Sequence, residues 1–242
     1  MDEHLHTLFQ GPICRRGGTE TVVSNYEIMR NQMRGEFVKY NQEKMIKKFS
    51  LRNDESYIYI EFMLREYRIN RKTGEVEWSE NSFLTSMEAD YNESMTIYDI
   101  LCYSKDDCSL SGNYCSVNML KGTVKSSGVG SNMFQKSADG FNGKRKELET
   151  VCTIFGEKLE LKGDVAAKLY PFTFLPVIIQ YWEADKEFPA NLKFMFDENI
   201  LDYMHFETIF FMMGHIVKRI EEMMKINFND RLECQLDLSL NK

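Results

Sequence analysis

Phe206, Ile209, Phe210, Met213, Val217, Ile220 and Met224 fall within about 60° of one line when residues 203–225 are wound as a helix at about 100° per residue. Phe211 and Met212 lie on other faces, so the first turns are apolar nearly all round. Such a helix is stable only where neighbours cover it on several sides. The chain is therefore expected to build its core around a C-terminal helix and to pack its remaining elements against it.

Those elements are legible upstream. Val22, Tyr26, Met29, Met33, Phe37 and Tyr40 recur at helical spacing, predicting one amphipathic helix that reaches about Phe49. Residues 57–62, 65–70 and 75–78 are short β-rich runs, with Lys72-Thr73-Gly74 supplying a tight turn, and together they predict a β-meander. Helices are expected over 96–103, 144–155 and 164–170, and a strand over 114–120. The glycine- and serine-rich stretch 121–143 has no clear period and predicts a long surface loop. Residues 174–182 and 191–196 read as strands of a hairpin joined by the acidic turn Glu183-Ala-Asp185-Lys-Glu187. Residues 227–242 alternate weakly and fit an edge strand or a frayed tail.

The expected fold class is α+β: a single domain whose mixed or antiparallel sheet is built from the meander and the C-terminal hairpin, packed by helices that include the buried last one. At 28.5 kDa the surface scaling laws give roughly 41,000 Å² unfolded against roughly 11,000 Å² folded, enough burial without disulfides. No Pro- or Ser-rich linker divides the chain. The expected organisation is a flexible N-terminus over 1–19, the domain over 20–226 and a tail over 227–242. Leu8-Phe9-Gln10-Gly11-Pro12 matches a protease-cleavage scar and, equally, chance.

Composition narrows the function classes. No apolar run reaches the roughly 18 residues of a membrane span, and residues 1–10 lack the basic start of a signal peptide, so a cytoplasmic protein with no membrane partner is expected. Six cysteines without a C-x-x-C pair predict reduced thiols and no metal site. Charge is uneven: residues 14–52 carry nine Lys/Arg against four Glu, whereas 53–107 carry five basic and thirteen acidic side chains. The two segments are expected to attract one another. The acidic excess beside the basic one opposes a phosphate backbone, so no nucleic-acid partner is expected.

No metalloprotease, hydrolase-elbow, P-loop or zinc-deaminase signature is present. Gly128-Val-Gly130 lacks the third glycine of a dinucleotide fingerprint, because Met133 stands there. The remaining catalytic candidates are Asp185, Asp197, His205 and Glu207, as acid, base or ligand groups that would have to meet across a cleft. His205 and His215 cannot share a ligand, being about 15 Å apart along a helix. Capping or a buried hydrogen bond competes as the role of His205 and Glu207; a buried polar position beside Thr208 and Arg219 competes as that of His215. Trp182, Phe188 and His215 are the candidates for contact with a small-molecule ligand or cofactor of unspecified kind. The ligand pocket is expected between the 174–196 hairpin, the last helix and the 121–143 loop. A module acting on protein partners through Lys44, Lys47 and Lys48 is a further reading.

Several runs carry a family likeness. Gly163-Asp164-Val-Ala-Ala-Lys-Leu169, Leu175-Pro176-Val177, Trp182, Asp185-Lys-Glu187-Phe188-Pro189-Ala190, Phe196-Asp197-Glu-Asn-Ile200 and Glu207 follow one another in an order and spacing that resemble the bacterial family called domain of unknown function 3786. Ile97-Tyr98-Asp99-Ile100-Leu101-Cys102-Tyr103 resembles that family's middle helix, and Ser111-Gly112-Asn-Tyr-Cys-Ser-Val117 its glycine-led strand. Tyr170-Pro171-Phe172-Thr173-Phe174 departs from a more basic, proline-centred segment. The resemblance spans about 20–225 and implies one intracellular domain, chiefly from anaerobic bacteria, with no established activity.

Overall fold

Side-chain alternation sets the sheet pairing. The computed structural model describes residues 24–120 and 133–240, with side chains described as far as Lys225. The expectations for 1–19 and for Gly128-Val-Gly130 lie outside the described residues. Among the described residues, β1 (Tyr57–Phe62), β2 (Arg65–Asn70), β3 (Val76–Ser79) and β4 (Met87–Glu88) form one antiparallel sheet in chain order. Ile58, Ile60 and Phe62 point inward opposite Ile69, Tyr67 and Arg65. The second sheet is ordered β5-β9-β8-β7-β6, also antiparallel, from β5 (Tyr114–Cys115), β6 (Gly156–Lys158), β7 (Val165–Phe172), β8 (Leu175–Trp182) and β9 (Asn191–Asp197). β8 lies at its centre and is buried from Leu175 to Tyr181, which matches its unbroken apolar run. The meander and the C-terminal hairpin thus belong to two sheets, not to one.

The sheets meet at the β1–β2 turn. Met63 and Leu64 both take left-handed backbone angles, φ 52° and 56°, as a two-residue hairpin that matches sheet twist requires. Without glycine this costs roughly 1–2 kcal/mol per residue. The turn is held by what surrounds it: Met63 is fully buried, and its amide donates to the Pro171 carbonyl at 2.8 Å. Pro171 has no amide of its own and sits where the β7 register shifts between Leu169 and Phe172. Beside it Phe62 stacks on Phe172 at 4.5 Å.

Helices cover the sheets: α1 (Asn25–Phe37), α2 (Gln42–Phe49), α3 (Tyr91–Tyr103), α4 (Gln135–Phe141), α5 (Arg145–Phe155) and α6 (Phe206–Leu240). One apolar core runs through both sheets and the helices between them. α6 is enclosed on opposite sides, since Ile209, Met213, Val217 and Ile220 of the apolar stripe are buried and so are Thr208, Met212, His215 and Arg219 across from it.

Several boundaries correct the sequence reading. The helix expected to run to Phe49 breaks after Phe37, because the Asn41 side chain accepts from the Lys44 amide and starts α2 afresh. α3 begins at Tyr91, not Thr96, since Asp90 and Glu93 form a reciprocal capping box. The helix expected over 164–170 is strand β7: Ala166, Ala167 and Leu169 favour helix locally, but pairing with β6 and β8 on both edges overrides that preference. The strand expected over 114–120 is two residues long and passes into a 3-10 turn at Val117–Met119. Within the expected 121–143 loop, Gln135–Phe141 is helical, and 121–132 lie outside the described residues. α6 continues to Leu240, so 227–240 is helix where an edge strand or tail is expected.

The uneven charge is used internally. Arg30 and Arg34 meet Glu88, Lys44 meets Asp106 and Arg52 meets Glu66. These pairs are largely exposed and each contributes little to stability. Gly74 is a stricter requirement: it has φ +74°, and an added Cβ would stand 2.4 Å from the Arg34 carbonyl oxygen. Gly74→Ala should therefore lower the unfolding free energy by about 2 kcal/mol or more in urea titration. An unchanged midpoint would contradict this packing of α1 on the β2–β3 turn.

Candidate functional site

One cluster of buried polar groups is built from α3, α6 and β2. In the capping box, Asp90 Oδ1 accepts from the Glu93 amide at 3.0 Å, and Glu93 Oε2 accepts from the Asp90 amide at 2.8 Å. That bond turns the other oxygen, Oε1, toward α6, where Lys218 Nζ lies at 3.2 Å, His215 Nδ1 at 3.3 Å and Arg65 at 3.8 Å. Glu93 has no exposed surface. Burial opposes its charge, but His215, the Asp90 amide and Lys218 outweigh it and hold the carboxyl below its ordinary value. At Nδ1 the His215 ring approaches the carboxylate but is poorly aligned for a hydrogen bond. On its other side Nε2 is 3.4 Å from the Tyr67 hydroxyl, and the Phe62 ring lies at 4.2 Å. Burial pushes the His215 pKa down and the Tyr67 pKa up, so a neutral imidazole and a neutral phenol sit beside a carboxylate. Arg65 stacks on Trp78 at 3.6 Å and, with Arg219, bonds Glu222. The cluster ties α6 to α3 and to the first sheet.

His205 immediately precedes α6 and finds a different carboxylate. Asp99, buried on α3, accepts from His205 Nδ1 at 2.6 Å through Oδ1 and from the His205 amide at 2.7 Å through Oδ2. The Tyr103 ring stands edge-on at 4.9 Å. Asp99 thus anchors the residue that enters α6 and orients an imidazole that is 36% exposed.

The other acidic candidates are engaged elsewhere or exposed. Asp197 is fully buried, and its two oxygens accept from the amides of Ser111, Gly112 and Asn199, which fastens the loop before β5 to the end of β9. Asp185 Oδ1 accepts from the Glu187 and Phe188 amides, which lowers its pKa and closes the exposed hairpin turn. Glu207 is exposed in the first turn of α6. No hydrogen bond joins Asp185, Asp197 and Glu207 to one another. Trp182 ends β8 half-buried, and Phe188 is exposed at the hairpin tip.

A cavity of about 490 Å³ opens between the end of α4, the start of α5 and the last described turns of α6. Gly140, Phe141 and Met224 give it an apolar floor; Lys144, Glu147, Glu221 and Lys225 stand around it. The expected pocket shares the last helix and the end of the 121–143 stretch with this one. The 174–196 hairpin is not part of its wall, and Trp182, Phe188 and His215 do not line it. Among the described residues, no three His, Cys, Asp or Glu side chains are grouped to hold a metal ion, and no helix is long and apolar enough to cross a membrane.

Among known families, the one described as Domain of unknown function (DUF3786) matches residues 41–219. The chain belongs to the DUF3786 family. No curated protein and no solved structure matches it. The DUF3786 span contains Glu93, Asp99, His205 and His215, and it ends before Glu221, Met224 and Lys225 of the cavity.

Two groups at the centre of this DUF3786 domain were not singled out by their residue types. Asp90-x-x-Glu93 is a readable capping-box signal. Asp99 has no local signal, because its partner is 106 residues away. His215 makes the cluster titratable. Its folded pKa lies below the ordinary 6.5, so the unfolded chain binds more protons once the pH falls under that value. Its contribution is complete above about pH 6.5 and is lost as the pH falls toward the folded pKa. Urea midpoints at pH 7.5, 6.5 and 5.5 should decline more steeply in the native chain than in His215→Gln, by up to about 1.4 kcal/mol per pH unit. Parallel declines would contradict a buried neutral imidazole.

Proposed function

We propose that this DUF3786 domain is a small-molecule or cofactor binding domain whose ligand enters the cavity between α4, α5 and α6. One observation carries the reading: the 490 Å³ space falls in the size range of ligand sites, roughly 300–1,000 Å³, and joins an apolar floor to a few charged groups. Phe141 and Met224 supply large, polarisable surface for the body of a ligand. Lys144, Glu147, Glu221 and Lys225 supply charge of both signs around it, so polar ends of a ligand can be oriented without a metal-binding cluster.

The proposal is tested by filling the cavity. Gly140 lies on α4 without a left-handed angle, and among the described residues no atom outside its chain neighbours and its own helix backbone lies within 4 Å of the position a Cβ would occupy. Gly140→Trp should therefore fold and occupy the space, while Gly140→Ala should leave it open and gain up to about 1 kcal/mol of helix stability. A compound library is screened against the native chain by native mass spectrometry and thermal shift. Bound compounds should persist in Gly140→Ala and weaken at least tenfold in Gly140→Trp. An empty screen, or hits that bind Gly140→Trp undiminished, would overturn the reading.

A further inference from the structure

Arg68 is held more firmly than a residue on a solvent-facing sheet surface needs to be. It alternates with the buried Tyr67 and Ile69 and so projects from the outer face of β2. Its guanidinium carbon lies over the Tyr57 ring and over the Phe83 ring, 4.3 Å from each centroid. Nε donates to Glu77 Oε1, and Glu77 is itself fixed, because its other oxygen accepts from Ser86 Oγ at 2.5 Å. The Arg68 side chain is 20% exposed. Phe83 is placed under strain: Ser82 and Phe83 take φ of 56° and 63°, left-handed angles that disfavour a large side chain. Ser79 Oγ holds the turn by accepting from the Asn81 and Phe83 amides at 3.1 and 2.9 Å. The end of the Arg68 guanidinium is nonetheless free. Among the described residues Nη1 and Nη2 make no hydrogen bond, and neither is shut off from solvent.

Arg68 lines a polar cavity of about 620 Å³ together with Arg34, Tyr57, Asn70, Glu75 and Glu88. Glu88 meets Arg30 and Arg34 through Oε1 alone, at 2.9 and 3.2 Å, which leaves Oε2. Glu75 Oε2 accepts from Thr73 Oγ1 at 3.2 Å, and Oε1 stands 3.6 Å from Arg34, beyond hydrogen-bond reach. The walls therefore offer a planar fork of N–H donors and two carboxylate oxygens with capacity to accept. We propose that this cavity binds a small zwitterion of the amino-acid class, with its carboxylate on the Nη1–Nη2 fork of Arg68 and its ammonium group between Glu75 and Glu88. A guanidinium meets both oxygens of a carboxylate through two parallel N–H···O bonds. The two rings and Glu77 hold the fork in place beforehand, so little side-chain freedom is lost on binding. The glutamates discriminate among anions: Glu75, Glu77 and Glu88 outnumber Arg34 and Arg68, which opposes a phosphate dianion and favours a molecule that brings its own cation. The site shares no lining residue with the cavity between α4, α5 and α6, so the two readings stand or fall separately.

The test titrates the full chain with each standard L-amino acid by isothermal calorimetry and ligand-observed NMR, beside the amine left when the carboxyl group is removed, such as agmatine for arginine and cadaverine for lysine. At least one amino acid should bind with a Kd below about 1 mM, and its amine at least tenfold more weakly. Arg68→Lys keeps the charge but loses the fork and its stacking, and should weaken binding at least tenfold. Glu88→Gln changes a side chain that is 59% exposed, so it keeps the fold even where Arg68→Lys does not, and should weaken binding at least threefold. Circular dichroism on both variants reports the fold. No amino acid binding below about 1 mM, equal binding of the matching amine, or undiminished binding in either folded variant would overturn the proposal.

Discussion

A carboxylate removed from water must be met by charge and hydrogen bonds, and Glu93 is the point at which this chain meets that demand. One oxygen is spent on starting α3, and the other faces Lys218, His215 and Arg65. Leaving either side unmade would strand a charge in the core, at a cost of several kcal/mol. The positions of α3, α6 and β2 are therefore coupled: a shift of one helix that serves the apolar contacts must also keep Oε1 among its partners. The Met63–Leu64 turn, Arg219 and Pro171 carry the same coupling on to the second sheet.

What could be read in the sequence follows from where the forces are local. α6 is legible because its apolar positions repeat at 3.6 residues and a nearly all-apolar helix has to be enclosed, and the β8–β9 hairpin because β8 is an unbroken apolar run of strand length and β9 alternates. The break between α1 and α2 is not, because the apolar spacing continues across it while one Asn side chain stops it. β7 reads locally as helix because Ala166 and Ala167 have no strong preference for a strand, and only its two partner strands decide the matter. α5 is legible to within a residue of its start, since its stripe of Leu148, Val151, Cys152 and Phe155 is self-contained.

The candidate residues divide by the same rule. Asp185 and Asp197 stand out by type, and both are engaged with backbone amides, one closing a turn and the other fastening a loop to a strand end. His205 stands out as well, but its character depends on Asp99, which no spacing rule connects to it. Such long-range pairs are made by the fold, and a sequence shows their members without the pairing.

The central claim is that α6 is a rod enclosed by α3, α5 and the first sheet, so that it cannot open without the whole domain opening. Native-state hydrogen exchange measures this directly. The amides of residues 209–224 should exchange only through global unfolding, with the same free energy and denaturant dependence as the central strand β8. Exchange of those amides through a smaller, denaturant-insensitive opening, while β8 stays protected, would contradict it.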